Sequence, residues 1–99
     1  MTLEINAPNP VSEGLNNLVE EKANRLQKFY EKISEVNVFF KEDDSQTEGH
    51  VTAEIRVFIP GADAYADAHA PNYERAFRDA YDKVERQLRK KNELLKAHH

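Results

Sequence analysis

The stretch VTAEIRVFIPGADAYADAHA, residues 51–70, decides the fold. In its first half Val51, Ala53, Ile55, Val57 and Ile59 alternate with Thr52, Glu54, Arg56 and Phe58. Successive side chains of a strand point to opposite faces, so this is a strand with one buried and one wet face. Pro60-Gly61 then signals a turn. In the second half Ala64, Ala66 and Ala68 alternate with Tyr65, Asp67 and His69. Alanine favours a helix, whereas the alternation favours a strand. We read Ala62 to Ala70 as a strand, because small residues along one face leave room for a helix to pack closely.

Working outward, Val36, Val38 and Phe40 alternate with Asn37, Phe39 and Lys41, which predicts a strand before the polar stretch Asp43 to Gly49. That stretch reads as a hairpin loop. Upstream, Leu15, Leu18, Val19, Ala23, Leu26, Phe29, Tyr30 and Ile33 recur at helical spacing. Ser12 is a suitable N-cap and Glu13 puts negative charge in the first turn, so a helix is predicted from Glu13 to about Lys32. Leu3 to Ala7 alternates as a short strand, ended by Pro8 and Pro10. Downstream, Asn72 caps a last helix, about Asn72 to Lys96, with the apolar stripe Tyr73, Phe77, Ala80, Tyr81, Val84, Leu88 and Leu95. The order is β-α-β-β-β-α. It predicts an α+β domain: a four-stranded mixed sheet whose first strand runs parallel to a neighbour, with both helices on one face.

At 99 residues the chain is one domain, residues 1–99, with little room for an enclosed active-site cavity. It has no cysteine, which excludes a disulfide frame and a thiolate zinc site. Its start lacks the pattern of a secretory signal, and no apolar run approaches the ~20 residues of a membrane span. These features predict a cytoplasmic protein without membrane attachment. His50, His69, His98 and His99 show no metal-site spacing, and His98 and His99 read as a frayed tail or an appended remnant. Gly14, Gly49 and Gly61 are isolated, so neither a phosphate loop nor a nucleophile elbow is present. Asp43 and Asp44 lie in a polar loop, where carboxylates are solvated rather than matched as acid and base. No enzyme activity, cofactor, metal or small-molecule substrate is implied.

The net charge of −4 argues by itself against nucleic acid, but the charge is segregated. Residues 42–71 carry Arg56 against Glu42, Asp43, Asp44, Glu48, Glu54, Asp63 and Asp67. Residues 72–99 carry eight basic side chains against five acidic ones. On an ideal helix Lys83, Arg86 and Lys90 share an arc of about 60° beside the apolar stripe. Arg78, Arg89 and Lys96 form a neighbouring stripe. On the first helix Arg25, Lys28 and Lys32 also share an arc of about 60°. Helices lying side by side would make two basic ridges flanking one groove, a surface that gains from releasing the counter-ions of a phosphate backbone. Ordinary macrodipole complementarity explains the same residues equally well. Lys22 falls in the middle of the first helix's apolar stripe. There its stem packs while its head reaches water, or its ammonium is held between the helices to meet an anion. Phe39, Phe58 and Tyr65 fall on the sheet's other face, where aromatics can stack on bases or meet a protein partner.

The pattern L-x-x-L-V-x-x-K-x-x-x-L from Leu15 to Leu26, with Phe29, Tyr30 and Ile33, and the segment D-K-V-E-R-Q-L-R-K-K from Asp82 to Lys91, with Lys96 beyond, resemble the ribosome hibernation promoting factors. That family includes the ribosome-associated inhibitor A proteins and was once labelled sigma-54 modulation proteins. The resemblance covers nearly the whole chain. It implies a fold similar to double-stranded RNA-binding domains with an added first strand. It also implies a translation inhibitor that binds the small ribosomal subunit, its rRNA and ribosomal proteins, near the tRNA and mRNA channel and silences idle ribosomes in stationary phase or starvation. The family's basic positions carry over to Lys22, Arg25, Lys83, Arg86, Lys90, Lys91 and Lys96. With Lys28 and Arg89 from the rotation argument, these are the expected rRNA-binding residues. Ending at His99, the chain looks like the family's short form, and it is expected to be monomeric off the ribosome. It departs from the family in its heavy acidic segment and in Pro71-Asn72-Tyr73-Glu74-Arg75, where a D-M-Y-A-A-like start is usual. A rival reading makes the acidic strand region a protein-interaction or transcription-modulating module.

Overall fold

A computed structural model describes residues 1–42 and 50–97, with only the backbone of residues 62 and 92–97. The expected hairpin loop Asp43 to Gly49, the tail His98 and His99, and the side chains of Leu95 and Lys96 lie outside the described residues. The elements are β1 (Thr2–Asn6), α1 (Glu13–Phe29), β2 (Glu35–Glu42), β3 (Val51–Ile59), β4 (Ala62–Ala70) and α2 (Tyr73–Ala97). The sheet order is β1-β2-β3-β4, with β1 parallel to β2 and the other pairs antiparallel.

Register aligns the apolar residues on one face. Leu3 lies beside Val36 and Ile5 beside Val38. Val38 pairs with Ile55, which pairs with Ala66, and Val36 pairs with Val57, which pairs with Ala64. Ala64, Ala66, Ala68 and Ala70 are all buried, so the alternation in β4 prevails over alanine's helical preference. Their small side chains meet a helix that also presents small residues, Ala76 and Ala80, both fully buried. α2 therefore packs over β4 and β3. From α1, Val19, Ala23 and Leu26 meet Val36, Val38 and Ile55 together with Phe77 and Tyr81 of α2, which places both helices on one sheet face.

The ends of the elements have local causes. The Ser12 hydroxyl accepts from the Leu15 N–H (3.1 Å), and the Asn72 carboxamide accepts from the Arg75 N–H (2.8 Å). α1 stops at Phe29, short of Lys32, because Tyr30 turns extended and buries itself with Ile33 in the core. In the β3–β4 turn Gly61 takes φ +88°, and Pro60-Gly61 fits the central pair of a type II turn. Among the described residues no helix is long and apolar enough to cross a membrane.

Candidate nucleic-acid interface

The cleft between the helices gathers charge around a carboxylate. Lys22 is half-buried, and its ammonium sits over the Tyr81 ring, 5.1 Å from the centroid. The stem thus packs in the apolar stripe while a π face, rather than a carboxylate, receives the charge. One turn on, Arg25 approaches Glu85 of α2 at 3.9 Å. Glu85 also accepts from Arg89, through Nε at 3.2 Å and Nη2 at 3.0 Å. The Arg89 guanidinium in turn lies over the Phe29 ring of α1 at 4.8 Å. Burial alone would raise the Glu85 carboxyl, but the Tyr81 hydroxyl, Arg89 and Arg25 outweigh it and hold it below its ordinary value. The Tyr81 hydroxyl is buried, makes no hydrogen bond of good geometry, and is pushed well up by burial and then by the nearby Glu85. Two guanidinium groups from two helices therefore share one carboxylate, with Lys22 close by over the Tyr81 ring.

The opposite flank of α2 is occupied differently. β4 is an edge strand, and its outer peptide groups have no neighbouring strand. Lys83 donates to the Asp67 carbonyl at 2.9 Å, and Lys91 donates to the Asp63 carbonyl at 3.0 Å. Between them the Gln87 carboxamide accepts from the Tyr65 N–H (3.1 Å) and donates to the Tyr65 carbonyl (2.6 Å). The match follows from geometry: four helix residues rise about 6 Å, and two strand residues about 6.8 Å. Residues at i, i+4 and i+8 of a helix antiparallel to a strand therefore meet alternate peptide groups. Such a latch satisfies an edge that would otherwise template pairing with another chain.

This geometry corrects the expectation of two basic ridges lining one groove. Arg25 shares Glu85 with Arg89 and Lys22 lies over Tyr81, whereas Lys83 and Lys91 face the β4 edge. Exposed Arg86 lies on that same side, in a shallow hollow with Asp67, His69, Asp79, Asp82 and Lys83. Lys90, one turn beyond Arg86, is exposed, and Lys28 is exposed in the last turn of α1. Helical rotation shows which residues share an arc, but not which flank of α2 faces α1. Sequence reasoning missed Glu85 and Gln87. The Glu85–Arg89 spacing of i, i+4 and the placing of Gln87 four residues from both Lys83 and Lys91 were the available signals.

The family model described as sigma 54 modulation protein / S30EA ribosomal protein matches residues 4–96. The chain belongs to this family. No curated protein sequence matches it. Among solved structures it is similar to a ribosomal subunit interface protein from Coxiella burnetii, with a TM-score of 0.81, 22% identity and coverage of 93% of this chain and 98% of that one. It is also similar to the N-terminal domain of Protein Y from Thermus thermophilus, with a TM-score of 0.68, 22% identity and coverage of 90% and 93%. At this identity the two likenesses speak to the fold, which is the β-α-β-β-β-α arrangement described above.

In this family member three acidic residues of β3 and β4 point away from the helices. Glu54, Asp63 and Asp67 fall on the sheet face that carries no helix, given the register of β3 and β4. Glu54 pairs with Lys41 and accepts from the Tyr65 hydroxyl (2.6 Å). Lys41 and Tyr65 hold its carboxyl below the ordinary value, and Glu54 in return pushes the Tyr65 phenol up to about 12. Arg56 lies 3.8 Å from Asp63 and over the Tyr65 ring at 5.4 Å. The unusual acidity is thus partly neutralised within the open face, where Tyr65 is exposed and Phe39 and Phe58 are half-buried.

Proposed function

We propose that this protein is a ribosome-associated factor that binds small-subunit rRNA through the basic faces of α1 and α2 and silences idle ribosomes by occupancy rather than catalysis. The observation that carries this reading is the cluster of Lys22, Arg25 and Arg89 across two helices, in a chain of the S30EA family. Arginine forks suit phosphate oxygens, and A-form RNA is recognised largely by shape and backbone rather than by base edges. Exposed Lys28, Arg86 and Lys90 extend the positive surface to either side. Lys83 and Lys91 each give a donor to β4; an ammonium has three, so both retain capacity for phosphate.

The acidic strand residues support the orientation rather than oppose it. Glu54 and Asp63 project from the other face of the sheet, away from the cluster of Lys22, Arg25 and Arg89. A small-subunit partner places the protein in the cytoplasm, and the latched β4 edge supports a monomer off the ribosome. Sedimentation with isolated small and large subunits tests the assignment. Binding to small subunits, with inhibition of cell-free translation at matching concentration, is the expected result. Absence of binding to either subunit at low salt would leave the family fold with another use.

A further inference from the structure

We propose that Glu85 is a built-in counter-ion that stands where an RNA phosphate would sit between the helices, and so limits how tightly this chain grips RNA. The inference rests on the reading of the helix surface as the rRNA site and adds a means by which its affinity is set.

Glu85 differs from the other acidic partners on α2. Arg75–Asp79 and Arg78–Glu74 are ion pairs at i, i+4 whose partners are all at least 43% exposed. Pairs of that kind are screened and solvated. The Glu85 side chain is only 19% exposed and serves Arg89 from its own helix and Arg25 from α1. Its floor is Tyr81, whose hydroxyl is buried without a well-formed hydrogen bond and whose ring carries Lys22. The donors that converge on this carboxylate are guanidinium groups. These match carboxylate and phosphate oxygens by the same planar geometry. A phosphate entering the cleft must therefore share or displace Glu85.

The sign of its effect follows from what else holds the cations. Arg89 is also stacked on Phe29, and Lys22 on Tyr81, so neither depends on Glu85 alone for its position. A glutamine at residue 85 keeps an oxygen to accept from Arg89 and removes the negative charge. Positioning survives while repulsion of phosphate disappears. For unit charges about 4 Å apart under water-like screening, this amounts to roughly fivefold in affinity.

The test measures binding of wild type, Glu85→Gln, Glu85→Asp and the double variant Arg25→Ala/Arg89→Ala to purified small ribosomal subunits across a salt series. Thermal unfolding of each protein confirms that it is folded. The expected result is that Glu85→Gln binds roughly fivefold tighter with a steeper salt dependence. Glu85→Asp, which keeps the charge, should not tighten binding, and the arginine double variant should bind more weakly. If Glu85→Gln binds equally or more weakly while the arginine variant loses affinity, the site stands and the counter-ion role is wrong. If the arginine variant binds like wild type, the cleft is not the RNA site and the inference falls with it.

Discussion

Gln87→Ala isolates the contact that sets the roll of α2 against the sheet. The substitution removes two hydrogen bonds to the backbone of one residue, Tyr65, at 3.1 and 2.6 Å. Each neutral hydrogen bond contributes about 0.5–1.5 kcal/mol net. Water can reach the vacated edge, so the loss belongs at the lower part of the combined range, about 1–2 kcal/mol. For a domain of this size, 1 kcal/mol moves the melting temperature by roughly 4–8 °C, which predicts a fall of roughly 5–15 °C. The assay that locates the effect is amide hydrogen exchange. The Tyr65 N–H has Gln87 as its partner and should exchange much faster in the variant, while β3–β4 ladder amides keep their relative order of protection. Gln87→Glu should not rescue, because it retains the acceptor for the Tyr65 N–H but sets a carboxylate against the Tyr65 carbonyl. Unchanged exchange at Tyr65 together with an unchanged melting temperature would refute the latch.

Tyr81→Phe deletes a hydroxyl that is buried without a well-formed hydrogen bond, and should change stability by less than about 1 kcal/mol in chemical denaturation, in either direction. Glu54 has its carboxyl held below the ordinary value of 4.5, chiefly by Lys41 and then Tyr65, so its contribution is present above that pH and lost as pH falls through the lower folded value. Acid unfolding should therefore shift to higher pH in Lys41→Ala. Tyr65 is raised from 10.0 to about 12 by Glu54 and burial, so the stability linked to it is full below pH 10 and lost as pH rises towards 12. Tyr65→Phe should remove this alkaline loss, as followed by unfolding at pH 9 and 11.

Much of the fold was legible because burial imposes period. β3 has the same bounds from alternation as in the structure, and the alanines of β4 are buried on one face as their spacing required. Asn72 caps α2 although the surrounding residues depart from the family's usual helix start. The end of α1 was not legible, because Tyr30 and Ile33 continue a helical spacing while serving the core from an extended segment. For the site, helical rotation points to Lys22 and Arg25 but not to Glu85, Arg89 and Tyr81 as their neighbours. Which flank of α2 faces α1 is set by tertiary contacts: the edge of β4 draws Lys83, Gln87 and Lys91 to one side, leaving Tyr81, Glu85 and Arg89 on the other. Lys22, open between snorkelling and anion binding, has a third partner, the Tyr81 ring. Nothing in a helix-wheel pattern distinguishes an aromatic that fills the core from one that also carries a cation.

The proposed rRNA site consists of cations on the two helices. Sucrose-gradient sedimentation with purified small subunits at low and high salt tests it most directly, comparing wild type with Arg25→Ala/Arg89→Ala. Wild type should travel with the subunit at low salt and be released at high salt, because the contacts displace counter-ions. The double variant should release at lower salt, while its circular dichroism stays unchanged. Release of wild type and variant at the same salt concentration would show that Arg25 and Arg89 do not bind the rRNA.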